Sequence, residues 1–275
     1  MRVAYQGTEG AYSEEAALKF APGATPIGFP TFHQVFEAVQ RVEADRGVVP
    51  VENAVAGSIN QTYDLLLQSD LHVVGEVILK VSHCLLAPKG TRLEDVREVV
   101  SHPQALAQCD GFIARHRLKA TPAFDTAGAA RMVAENPRPG LAAIASRRAA
   151  SRYGLEVLAC GIEDFNFNYT RFFVLAREDE PRKEGPYKTS VVFAVRHRPG
   201  GLYDAIGAFA EAGVNLTKLE SRPRRDRAFS YVFYLDFEGH VEDEAPSKAL
   251  LLLLRRAAFV KVLGSYPAAR PEELG

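Results

Sequence analysis

The stretch Val48-Val49-Pro50-Val51-Glu52-Asn53-Ala54-Val55-Ala56-Gly57-Ser58 decides the fold. An apolar, β-branched run ends in Glu52-Asn53, crosses a loop of small residues and reaches Ser58-x-x-Gln61, which reads as a capping box opening a helix. The flanking sequence repeats this strand–loop–helix unit. Strands fit 2–5, 46–51, 72–81, 97–100, 141–145 and 171–176; helices fit 13–20, 31–44, 58–68, 103–116, 126–135 and 146–153. Phe32, Val35, Phe36 and Val39 give one helix its apolar stripe. Alternation of this kind predicts an α/β domain with a largely parallel sheet and a ligand crevice at the carboxyl ends of the strands. Thr31-x-x-Gln34 and Ser101-x-x-Gln104 read as further capping boxes, and Ser13, Thr126 and Ser146 sit at expected N-caps.

The pattern changes after 179–187, a charged stretch with Pro and Gly that reads as a linker. Residues 188–197 alternate as a strand, Pro199-Gly200-Gly201-Leu202-Tyr203 turns into a helix ended by Gly213, and strands follow at 214–222 and 228–237. A leucine-rich helix at 246–257 and a strand at 259–266 complete βαββαβ, a ferredoxin-like module. The remaining 267–275 read as a loose tail. The expected organisation is a domain over 1–178 and a small one over 188–266.

With 47% hydrophobic and 24% charged residues, the chain can bury a proper core. Its formal net charge of -1 sets up no global field for nucleic acid or an anionic membrane, so an anion site has to be built locally. No apolar run approaches a membrane span, and the start runs straight into a strand rather than a signal peptide, so a cytoplasmic protein is expected. Cys84, Cys109 and Cys160 fall in no paired spacing and read as buried, reduced thiols; the seven histidines show no metal-ligand pattern.

Polar residues cluster at the expected strand ends. Gly7-Thr8-Glu9-Gly10-Ala11-Tyr12-Ser13 has two glycines where a dinucleotide fingerprint needs three, so it reads as a tight loop presenting N–H groups to an anion. Asn53 can donate and accept at one point, or bond its own turn; Glu52 reads as an acid catalyst or a structural pair. Ser101, Gln104 and Gln108 share a helix face, and His102 beside Pro103 reads as a structural hydrogen-bonder before a general acid. In Asn168-Tyr169-Thr170-Arg171-Phe172-Phe173, a hydroxyl and a guanidinium end an apolar run between aromatics, and are expected to face one cavity for an anionic ring.

GTEGAYS, VVPVENAVAGSI, SHPQALAQC and NYTRFF, in this order, resemble the prephenate dehydratase family. PGGLY at 199–203 and NLTKLESRP at 215–223 resemble its phenylalanine-binding ACT regulatory domain. Gly201 stands where the family usually has Ala, and Ala54 where it often has Ser or Thr. The resemblance implies a two-lobed fold similar to the type II periplasmic binding proteins, lobe one at about 1–78 and 162–178 and lobe two at about 79–161, followed by the ACT domain. It implies a monofunctional, cofactor-free and metal-free lyase that expels water and CO2 from prephenate to give phenylpyruvate. Arogenate, or an amino-acid-sensing role without catalysis, is the alternative. Thr170 is implied as the catalytic residue at the leaving hydroxyl, with Thr8, Asn53, Ser58, Ser101, Gln104, Gln108, Arg171 and Phe172 around the substrate. Phenylalanine is implied at Gly200, Gly201, Leu202, Tyr203, Asn215, Leu216, Glu220, Ser221, Arg222 and Pro223, with ACT domains pairing into a dimer or tetramer.

Overall fold

The computed structural model describes residues 1–224 and 230–269. In chain order the elements are β1 (Arg2–Gln6), α1 (Tyr12–Phe20), β2 (Thr25–Phe29), α2 (Phe32–Gln40), β3 (Arg46–Asn53), β4 (Gly57–Ser58), α3 (Asn60–Gln68) and β5 (His72–Lys80). Then come β6 (Cys84–Ala87), a 3-10 turn at Leu93–Asp95, β7 (Glu98–Ser101), α4 (Pro103–Gln108), α5 (Asp110–Arg115), β8 (Lys119–Pro122), α6 (Thr126–Glu135), β9 (Leu141–Ala145), α7 (Arg147–Tyr153), β10 (Glu156–Cys160) and β11 (Tyr169–Ala176). The last elements are β12 (Tyr187–Ala194), α8 (Gly201–Ala212), β13 (Leu216–Pro223), β14 (Tyr231–Glu238), α9 (Glu244–Arg256) and β15 (Phe259–Pro267).

Three sheets result. The first runs β2-β1-β3-β11-β5, with β4 paired to β3; the second runs β10-β6-β9-β7-β8. β1 pairs parallel with β2 and β3, and β7 with β8 and β9. Both sheets therefore share one strand order, in which the strand arriving from the other lobe (β11 or β6) lies between the third and the last. That is the expected two-lobed α/β topology. Two compact units divide the chain among the described residues: 1–59 with 77–172, and 60–76 with 173–269.

In the first unit the second sheet is buried on both faces, as parallel sheets require. Cys84, Leu86, Val100, Ala143 and Ala145 pack with residues of α6 and α7, while Leu85, Val99, Ala142 and Ile144 pack with Cys109, Phe112 and Ile113. Odd and even positions take opposite sides, the period of two that defines a strand. The Gly7–Ser13 loop meets α7 here. A Cβ on Gly10 would lie 2.9 Å from the Ala149 Cα, and Gly10 holds φ +88°, so only glycine fits.

In the second unit the order β13-β14-β12-β15 is the ferredoxin-like arrangement. Val191, Phe193, Leu235 and Phe237 face Ala205 and Phe209 of α8 and Ala249 and Leu253 of α9. α3 belongs to this unit. Tyr234 Oη donates to the Tyr63 carbonyl at 2.6 Å, and Lys261 Nζ donates to the carbonyls of Leu66, Leu67 and Ser69. An ammonium there satisfies acceptors that the end of α3 leaves without intrahelical partners.

Several expectations need correction. The helix expected over 103–116 breaks at Cys109 (φ −115°, ψ 20°) into α4 and α5. Ser58 opens no helix: it pairs with Glu52 in β4, and α3 starts at Asn60. Ser101 is not a cap either; its hydroxyl donates to the Ile144 carbonyl, and His102 Nδ1 accepts the Gln104 N–H instead. Asp125 rather than Thr126 caps α6, and Ser13 lies inside α1, whose N-cap position is Ala11. Thr31 and Ser146 cap as expected. Cys84 and Cys160 stand opposite each other on β6 and β10 with Cα atoms 4.0 Å apart, joined as a disulfide, while Cys109 is a buried free thiol.

Candidate active site

β3 delivers Asn53 and β11 delivers Thr170, and the two meet in the first unit. Asn53 Oδ1 accepts the N–H groups of Val55 (3.1 Å) and Ala56 (2.9 Å), so the turn fixes which end of the amide is oxygen. Its Nδ2 therefore points the other way, donating to Asn168 Oδ1 (2.8 Å), Thr170 Oγ1 (3.0 Å) and the Tyr169 carbonyl (3.2 Å). Thr170 Oγ1 is an acceptor in that bond, which leaves its own proton to donate elsewhere. Gln108 at the end of α4 closes the group. Its Oε1 accepts from Asn168 Nδ2 at 3.0 Å, and its Nε2 faces Asn53 Oδ1 at 3.4 Å. Asn53, Asn168 and Thr170 are 6%, 1% and 8% exposed, so these bonds are made out of water, where each counts for more.

These side chains open on a cavity of about 150 Å3 lined by Tyr12, Ser13, Pro50, Asn53, Val81, His102, Gln104, Ala105, Gln108, Thr126, Thr170 and Phe172. The first residues of α1 and α6 contribute hydroxyls, and helix N-termini carry partial positive charge. Val81, Ala105, Pro50 and Phe172 supply apolar wall.

Asn53, Gln104, Gln108, Thr170 and Phe172 are thus brought together. Other expected residues are elsewhere. Thr170 and Phe172 are two apart on β11 and share a face; Arg171 between them falls on the opposite face and does not line the cavity. The expectation of hydroxyl and guanidinium side by side ignored that alternation. Ser101 is fully buried, bonded to Ile144. Ser58 is half-buried in β4. Thr8 donates to Asp125 (3.1 Å) and lines a separate cavity of about 650 Å3.

Three N–H groups of the Gly7–Ser13 loop are bonded within the protein: those of Gly7, Gly10 and Ala11 go to Phe29 O, Glu14 Oε2 and Thr8 O. The loop clasps lobe two: Ser146 donates to Gly10 O, Arg152 pairs with Glu9, and Arg148 holds Glu14 in a two-pronged contact. Burial pushes the Glu14 carboxyl up, but Arg148 and the Gly10 N–H outweigh it and hold it below the usual range.

Tyr12, Ser13, His102 and Thr126 line the cavity without having been singled out as substrate contacts. Asn168 and His83 stand behind the wall. The quoted motifs contained Tyr12, Ser13, His102 and Asn168; Thr126 stands outside them, as does His83, a lone histidine just before a short apolar strand.

Of the phenylalanine candidates, Tyr203 and Leu216 line a cavity of about 680 Å3 in the second unit, with Asp204, Glu211 and Arg256. Pro223 lines another of about 320 Å3, and Arg222 pairs with Asp64 at 3.7 Å. Gly200 takes φ +77° and Gly201 starts α8, where a Cβ would lie 2.7 Å from the Arg196 carbonyl. Leu202 and Glu220 are half-buried, and Asn215 and Ser221 are exposed.

A two-lobed α/β domain with an amide-and-hydroxyl site between its sheets, followed by a ferredoxin-like module, defines a class of regulated small-molecule enzyme. Residues 3–180 match the family described as prephenate dehydratase and residues 189–251 that described as ACT domain. The chain belongs to the prephenate dehydratase family. It is 47% identical to arogenate dehydratase/prephenate dehydratase 2, chloroplastic, of Arabidopsis thaliana, over 97% of this chain and 73% of the relative. The solved prephenate dehydratase from Arthrobacter aurescens in complex with L-Phe superposes with a TM-score of 0.90 at 32% identity, covering 98% of this chain and 90% of that one. GqqA, described as a novel type of quorum quenching acylase, also superposes at 0.90, with 39% identity and 98% of each chain covered.

Proposed function

We propose that this protein is a prephenate dehydratase, converting prephenate to phenylpyruvate, CO2 and water. The observation that carries the reading is the polarity of the Asn53–Thr170 bond: the threonine accepts from the amide and keeps its proton for a ligand. The ring C–O bond breaks with its electron pair leaving on oxygen, and one proton converts the departing hydroxide to water. The bond to the ring carboxylate breaks at the same time, its pair completing the aromatic ring as CO2 leaves. Thr170 hydrogen-bonds the developing hydroxide. Its acidity is weak, so its contribution is stabilisation and relay rather than full proton loss. The N-termini of α1 and α6, with Ser13, Thr126 and Gln104, meet the carboxylates, and the apolar wall weakens solvation of the one that departs.

Arogenate carries an ammonium where prephenate has a ketone. No carboxylate is among the described residues lining the cavity, so that ammonium has no ionic partner in the wall, which favours prephenate. Because GqqA shares the fold under another described activity, the assignment rests on the site and not on the architecture. The test is parallel turnover of prephenate and arogenate, and a higher kcat/KM on arogenate overturns the preference.

The ACT match and the L-Phe complex of the Arthrobacter aurescens relative support phenylalanine as effector at the Gly200–Tyr203 and Asn215–Pro223 segments. Regulation then works by linkage: phenylalanine favours whichever arrangement binds it more tightly. We place the enzyme in the cytoplasm as a dimer or tetramer paired through the ACT domains. Among the described residues no helix is long and apolar enough to cross a membrane, and the Arabidopsis thaliana relative is named as chloroplastic. Light scattering with and without phenylalanine reads the assembly.

A further inference from the structure

His83 immediately precedes β6 and is 2% exposed, and it stands one residue behind the wall of the site, against Gln108. We infer that His83 is a positioning residue for the proposed dehydration, acting through Gln108 to hold the side chains of Asn53 and Thr170 in place. The inference rests on the proposed function for its kinetic consequence alone.

The direction of every bond follows from two backbone amides. Because Val55 and Ala56 donate to Asn53 Oδ1, the other end of Asn53 is nitrogen and donates to Asn168 Oδ1. Asn168 then presents nitrogen to Gln108, so the Gln108 atom there is oxygen. That same Oε1 lies 2.9 Å from His83 Nε2. Two acceptors cannot share that contact, so Nε2 carries the hydrogen and His83 is fixed in one tautomer. The remaining nitrogen, Nδ1, is an acceptor 3.1 Å from Tyr12 Oη, whose single hydrogen it shares with the Ser82 carbonyl, the nearer acceptor at 2.8 Å. The His83 backbone N–H donates to Glu163 Oε2 at 2.8 Å, and the Tyr12 ring packs edge-on at 5.7 Å. The imidazole is thus clamped on every side. Burial holds it neutral, below the ordinary histidine range.

Gln108 has two competing orientations. With its oxygen towards His83 and Asn168, its amide nitrogen reaches Asn53. Turned over, it presents nitrogen to Asn168 Nδ2 and oxygen to Asn53 Oδ1, and both contacts become repulsive. The His83 Nε2–H adds a second donor to the productive orientation and penalises the other. Loss of that donor loosens Gln108, then Asn53, then the Thr170 hydroxyl.

The experiment compares His83→Met, which keeps side-chain length and lacks a donor, with His83→Gln, which restores an N–H at the Nε2 distance. Prephenate turnover in His83→Met is expected to fall roughly 10- to 100-fold in kcat with KM within about 3-fold, the scale of a lost supporting contact. His83→Gln is expected to recover most of that loss. Equal losses in both variants, or turnover unaffected by either, overturn the role. The tautomer is read separately in the native protein by 15N NMR of the imidazole, which needs no substrate. A protonated Nε2 with bare Nδ1 is expected at pH 8, and the opposite tautomer overturns the inference. If native protein leaves prephenate untouched but shows the expected tautomer, the proposed reaction has failed and the geometry stands.

Discussion

Replacing Thr170 with valine keeps the branched shape and removes the hydroxyl. The structural cost is small and can be counted. Asn53 Nδ2 has two hydrogens and three acceptors within 3.2 Å, so loss of the Thr170 oxygen leaves the Asn168 and Tyr169 oxygens to take both. Stability should fall by about 1 kcal/mol, the net worth of one hydrogen bond, which moves Tm by roughly 2–4 °C. The catalytic cost is different in kind, because the hydroxyl bonded to Asn53 is the one proposed to meet the leaving group. A lost proton-donating contact at the leaving group lowers kcat by roughly 10²–10⁴-fold, or about 2.7–5.5 kcal/mol of barrier. Initial rates of phenylpyruvate formation across a prephenate series give kcat and KM, and a thermal melt gives Tm. The account expects kcat to collapse while KM and Tm barely move. A kcat within about 3-fold of native refutes the role of Thr170, and a collapse of Tm refutes the claim that its contribution is chemical.

Lys261→Met removes three hydrogen bonds from the end of α3 and should cost roughly 1–3 kcal/mol, read as a lower urea midpoint. Gly201→Ala places a Cβ 2.7 Å from the Arg196 carbonyl and should lower Tm, with a cost of about 1–3 kcal/mol while the turn shifts. The two acid limbs of stability should separate by pH. His83 is neutral when folded and takes a proton near 6.5 when unfolded, so the unfolded state binds more protons and stability falls as pH drops through 6.5. Glu14 is held below 4.5, so its contribution is intact above that value and is lost as pH falls through its lowered pKa. Urea midpoints from about pH 8 down to about pH 2 should show both steps, and His83→Gln should erase the upper one alone. Thiol titration of the unfolded, unreduced protein should count one cysteine, Cys109; three would show Cys84 and Cys160 as neighbouring thiols.

The strand–loop–helix repeat was legible because its central strands are apolar and its helices striped. The strands that escaped notice are short or lie at sheet edges. β2 and β8 are edge strands with mostly solvent-facing side chains, and β6 is four buried residues with no alternation to read. Asn53, Gln104, Gln108 and Thr170 could be picked out because their motifs were informative. Arg171 went astray for a simpler reason: adjacency in sequence puts strand neighbours on opposite faces. The family resemblance implied Ser101 and Thr8 as ligand contacts, yet their partners, Ile144 and Asp125, come from distant parts of the chain that no local pattern reveals. His83 was invisible for the same reason. Its meaning lies in Gln108 and Tyr12, which the fold brings to it.

The proposed chemistry is an elimination, in a hydroxyl-and-amide cleft, that aromatises its substrate. Purified protein incubated with prephenate, with phenylpyruvate and CO2 quantified together, tests it most directly. Equimolar formation of both is expected, at a rate that scales with enzyme and falls roughly 10²–10⁴-fold in Thr170→Val. Native protein that leaves prephenate unchanged at the rate of the blank contradicts it.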